Sequence, residues 1–150
     1  MNKLTLLLGG AAVAVGLSYK LFWPLHSEQM DDMPMAQDSA MADASHAMVQ
    51  IEMPQITGNA RIGQQIFETT CAACHGTAGT GNAQAGPPLI HKIYEPSHHG
   101  DEAFQRAAAM GVRAHHWRFG NMPPQEGLTR GDGAMEVDYI RTIHRANGIP

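Results

Sequence analysis

Apolar positions fall along the chain in three regimes. They are dense from Leu4 to Leu25, scattered without period from residue 26 to 57, and helically spaced in three blocks beyond residue 58. The first block predicts a helix from about Asn59 to Thr70, capped by Gly58 or Asn59, with Ile62/Ile66 and Gly63/Phe67 paired at i,i+4. A glycine at position 63 costs about 1 kcal/mol relative to alanine, so another helix is expected to approach closely there. The second block, Asp101 to Met110, starts acidic and is stopped by Gly111. Phe104, Ala107 and Ala108 are expected to face inward, with Met110 as core. The third block has Met135, Tyr139, Ile140 and Ile143 on one face of a helix from about Ala134 to Arg145. Gly131-Asp132-Gly133 precedes it, Gly148 follows it, and Arg141 and Arg145 lie near its C-terminus, where the dipole favours cations. Residues 76–85 read as a loop by their Gly, Thr and Ala content, and His91, His98 and His99 as exposed loop histidines. The expected fold class is all-α.

The dense N-terminal block has the form of an export segment. Met1-Asn2-Lys3 is positive, and Leu4 to Trp23 spans 20 residues, about 30 Å as a helix and enough to cross a bilayer core. Lys20 can snorkel, and Tyr19, Phe22 and Trp23 suit an interfacial belt. A cleaved signal is the alternative, although Ala12-Val13-Ala14 lies inside the apolar run rather than after it. The anchor is the favoured expectation. Either way the rest of the chain is exported, which in a bacterium means the periplasm, on the outer side of the inner membrane.

Residues 26–57 hold six of the ten methionines and six acidic residues, with no Lys or Arg. They are expected to be a disordered acidic linker with an r.m.s. span on the order of 30 Å. Thioether sulfur is a soft ligand, so Met30, Met33 and Met35, near His26 and His46, also raise a Cu(I) site against the plainer reading of a spacer. The chain thus divides into 1–25, 26–57 and a folded domain at 58–150. That domain carries eight basic and eight acidic side chains, and the lack of a basic stripe argues against nucleic acid as a partner.

The two cysteines of the chain both lie in Cys71-Ala72-Ala73-Cys74-His75. A C-x-x-C-H run suits covalent attachment of a c-type haem, the thiols bonding the vinyl groups and His75 standing under the iron as proximal ligand. Half of a zinc site lacks its second ligand pair here, and a redox dithiol lacks βαβ surroundings.

The run Gly63-x-x-x-Phe67-x-x-x-Cys71-x-x-Cys74-His75 resembles the opening of class I cytochromes c, and Gly86-Pro87-Pro88-Leu89 is similar to the segment that follows the haem motif in that family. The resemblance implies three main helices around one haem c, the first and last crossing where Gly63 and Phe67 meet Tyr139. It implies that the Pro87 carbonyl accepts a hydrogen bond from His75 and that Leu89 packs on the haem. Gly120-Asn121-Met122-Pro123-Pro124, with Met122 lying 47 residues beyond His75, resembles the family's methionine loop and implies Met122 as the second iron ligand, His115 or His116 being the competitors. Trp117, Arg118 and Arg113 are candidates for the haem propionates, a local packing network being the alternative.

Two axial ligands leave no open iron position, and a thioether ligand raises the potential. The expectation is therefore an electron carrier rather than an enzyme, exchanging single electrons with redox partner proteins, or a haem subunit of a larger oxidoreductase. A copper-linked role for the methionine-rich arm, and gas binding at a vacant iron position, are the other classes weighed.

Overall fold

A computed structural model describes residues 46–150. Among the described residues four α-helices follow in chain order: α1 (Asn59–Thr70), α2 (Ala72–His75), α3 (Asp101–Met110) and α4 (Arg130–Ala146), with 3₁₀ turns at Thr77–Gly79 and Lys92–Tyr94. Among the described residues no strand forms, only the isolated bridges Asn82–Gly86 and Val112–Met122. The all-α expectation holds.

The main helix–helix contact is α1 on α4, and α3 packs on α4 as well. Gly63 is the point of closest approach. A Cβ built there would lie 1.9 Å from the Met135 carbonyl oxygen, so only glycine lets the two backbones touch. One turn on, the Phe67 and Tyr139 rings meet at 5.6 Å between centroids, both fully buried. With Ile140, Ile143, Leu89, Ile90 and Ala60 they form the core. Ile62 faces out instead, half exposed, so its spacing to Ile66 lies on the solvent side of α1.

Three expectations shift. α4 starts at Arg130, not Ala134, because Thr129 and Asp132 form a reciprocal capping box that carries Gly131 and Gly133 into the helix. Met110 is 74% exposed rather than core: in the last turn of α3 Ala108 is the buried residue, and Met110 follows it just before Gly111 ends the helix. The stretch 46–57, expected to belong to a disordered linker, lies along the domain. Its Met48 and Val49 N–H groups donate to the Thr80 carbonyl, and Glu52 exchanges two hydrogen bonds with the Asn147 side chain at 2.7 and 2.8 Å. Ile56 is buried in the core and Ile51 packs against it. No helix among the described residues is long and apolar enough to cross a membrane. The proposed anchor at 1–25 and the linker methionines before residue 46 lie outside the described residues.

Candidate functional site

The site begins where α1 ends. The Cys71 N–H still donates to Phe67 O, and Cys74 and His75 N–H both return to Cys71 O at 3.1 and 2.9 Å. This single extra turn, α2, places the thiols three residues apart and His75 just after them. Cys71 is buried and Cys74 exposed, and they are not joined to each other. The loop behind α2 then folds back tightly, with Gly81 N–H on His75 O at 2.6 Å.

That fold-back delivers Pro87 to the histidine. His75 Nδ1–H donates to the Pro87 carbonyl at 2.9 Å, which fixes the tautomer and leaves the Nε2 lone pair free to ligate a metal. Burial holds the His75 imidazole below its ordinary range, the bond to Pro87 partly opposing this. Neutral imidazole is the form that binds a metal. The Cys71 thiol is pushed far up by burial, then by the nearby Glu136 carboxylate, and it donates to Glu136 Oε1 at 3.4 Å.

Cys71, His75, Pro87 and Leu89 form one wall of a cavity of about 570 Å³, within the range of small-molecule and cofactor sites. Phe104, Ala107 and Ala108 of α3 line the same cavity, together with Met122. Met122 is held by its backbone: it exchanges two hydrogen bonds with Val112, at 2.9 and 3.0 Å. Gly111, at φ 74°, makes this possible, since a Cβ there would sit 2.5 Å from Met122 O. The structure therefore brings His75, Pro87, Leu89, Cys71 and Met122 to one cavity. Cys74 stands outside its lining, on the exposed side of α2. His115, His116 and Met110 also reach the cavity wall.

The donor set fits a covalently attached haem: an apolar cavity, a buried thiol at its edge, and an imidazole whose free nitrogen is chosen by a carbonyl bond. A family model of cytochrome c matches residues 60–144, from the start of α1 to near the end of α4. The chain belongs to the cytochrome c family. It is a class I c-type cytochrome, a family that binds haem c covalently, and Cys71 and Cys74 have the spacing this requires. No curated protein matches the chain.

In this cytochrome c two of the three propionate candidates make hydrogen bonds within the protein. Trp117 Nε1–H donates to the Tyr94 hydroxyl at 3.1 Å, and the Arg118 guanidinium donates to Ala83 O at 3.2 Å. Arg113 is exposed and lines the cavity. The local-network alternative is the arrangement seen for Trp117.

Several residues of consequence were not singled out by pattern. Arg141, placed by its position among cations favoured at a helix end, is 6% exposed. It donates to Tyr94 O at 2.6 Å, His99 O at 2.5 Å and Asp101 Oδ1 at 2.8 Å. His144, fully buried, donates through Nε2–H to Leu89 O at 2.8 Å and accepts from Arg141 at Nδ1, 3.0 Å. A last-helix Arg-x-x-His thus holds both the Leu89 segment and the loop before α3. Its one sequence signal is polarity on the α4 face that carries Tyr139 and Ile140. Glu136, buried beside Cys71, has its carboxyl raised by burial, the thiol bond opposing.

Proposed function

We propose that this protein is a periplasmic electron carrier, tethered to the inner membrane through residues 1–25, that passes single electrons between redox partner proteins. The family supports a haem-based electron-transfer role. Bound haem supplies the one-electron iron couple. The rest is done by the chain. His75 would ligate iron through Nε2, Met122 would do so through its sulfur, and Cys71 and Cys74 would anchor the macrocycle. The observation that carries this reading is the convergence of His75, locked to Pro87 O, and Met122, pinned to Val112, on one cavity. A helical shell clamped at Gly63 and by Arg141 gives the site little freedom to rearrange when its charge changes.

Met122→Ala in the haem-loaded protein tests the assignment. The expected result is loss of the far-red charge-transfer band of methionine ligation, a lowered potential and ready carbon monoxide binding by the reduced form. An unchanged ferric spectrum overturns it and passes the role to His115 or His116. Fractionation of cells tests the anchor: haem-staining protein in the membrane fraction supports it, and a soluble, shortened chain favours a cleaved signal. If the haem protein instead co-purifies in fixed stoichiometry with other redox chains, it serves as a subunit of an oxidoreductase. Cu(I) binding by the methionine-rich arm is the second role raised by the sequence, and methionine-to-leucine changes there test it.

A further inference from the structure

We propose that His98, His99 and His116 form a binding site for a divalent transition-metal ion of the zinc and copper class at the rim of the cavity. Each offers one ring nitrogen, and these three nitrogens lie within 4.8 Å of one another. A tetrahedral ion with nitrogen ligands at about 2.0–2.1 Å needs them about 3.4 Å apart. Side-chain rotations on the order of 1.5 Å close that gap, and His98 and His116 are exposed enough to make them.

The surroundings are those of a ligand set. His99 Nδ1–H donates to Ile93 O at 2.7 Å, leaving Nε2 with the free lone pair, as metal-binding histidines are usually held. His115 repeats the pattern, Nδ1–H to Arg113 O at 2.8 Å, and its ring lies 4.1 Å from that of His116 as a further imidazole beside the site. The two halves come from loops far apart in sequence, and each is fixed. Arg141 grips the His99 carbonyl from inside the domain. Ala114 N–H donates to Asn121 Oδ1 at 2.9 Å across the neck of the other loop. Trp117 Nε1–H to the Tyr94 hydroxyl joins the two. All three ligands are imidazoles with no carboxylate among them, which disfavours calcium and magnesium and suits Zn(II) and Cu(II).

The test uses the full haem-loaded chain without an affinity tag, titrated with Zn(II) against a chromophoric chelator. One zinc per chain is expected, weakened about tenfold or more by His116→Gln and about 100-fold or more by the triple change His98→Gln, His99→Gln, His116→Gln. The haem spectrum should be the same with and without zinc, and in each variant, which also shows that the variants fold. Cu(II) in place of zinc should give an electron paramagnetic resonance spectrum split by several imidazole nitrogens. Zinc affinity that survives the triple change places the ion elsewhere, for example at His26 and His46, and overturns the proposal. So does the absence of one-to-one binding, a copper spectrum without nitrogen splitting, or a change of haem ligation on adding zinc or removing His116.

Discussion

Gly63→Ala sets two effects of opposite sign against each other. In an exposed helix this change stabilises by about 0.5–1 kcal/mol, because alanine loses less backbone entropy. Here the added Cβ would lie 1.9 Å from Met135 O, 2.4 Å from Met135 C and 2.9 Å from Glu136 N, all backbone atoms that cannot swing aside. Ordinary contact begins near 3.4 Å, so α1 and α4 must part by about 1.5 Å. A gap of 0.5–1 Å already forfeits about a quarter to a half of a dispersion well, and here it opens beside Phe67 and Tyr139. Overpacking costs about 1–3 kcal/mol and occasionally more, and the lost contacts add to it. The expected net loss is about 2–4 kcal/mol, a large part of the roughly 5–15 kcal/mol that holds a domain together. Denaturant unfolding of the haem-loaded protein, followed by circular dichroism, measures it. Gly131→Ala is the control: its Cβ would meet only the Thr129 hydroxyl, at 3.5 Å, so no loss is expected. A Gly63→Ala protein as stable as the parent, or more stable, would refute the close-approach argument.

Two further outcomes rest on α4. Burial, then the positive charge of Arg141 and Arg145, holds His144 below its ordinary 6.5, the bond to Leu89 opposing. The unfolded chain therefore takes up a proton that the fold refuses. This contribution is complete above pH 6.5 and is lost as the pH falls from there through the folded value. Unfolding free energies measured between about pH 5 and 8 should show a shallower acid loss in His144→Gln than in the parent, and an equal slope would contradict it. Arg141→Lys keeps the charge but not the fork, leaving the Tyr94 and His99 carbonyls short of donors. A loss of about 3 kcal/mol is expected by the same unfolding assay, with a lysine variant within about 1 kcal/mol of the parent arguing against the clamp.

The helices α1 and α3 were legible residue by residue because their signals are local: i,i+4 apolar pairs, an acidic first turn, a terminal glycine. The start of α4 differs from the expected Ala134 for a related reason. Two glycines read as a break, but Thr129 and Asp132 satisfy the first turn and outweigh their cost. Met110 reads as core because it is apolar and ends an amphipathic helix, and nothing local marks that the buried face of the last turn stops at Ala108. Residues 46–57 carry no period, since an extended segment is held through single contacts such as Ile56 in the core and Glu52 on Asn147. Their partners lie as far as 95 residues along the chain.

By itself the sequence determined the covalent chemistry and the helix pair that frames it. C-x-x-C-H is a one-turn motif whose geometry is internal, and the meeting of Gly63 and Phe67 with Tyr139 is implied by the resemblance to class I cytochromes c. Only the tertiary structure decided what meets across the molecule. It pins Met122 to Val112, buries Arg141 under the loop carbonyls, and gathers His98 and His99 with His116. Those contacts depend on where loops close, and loop closure is set by long-range hydrogen bonds that no local pattern encodes.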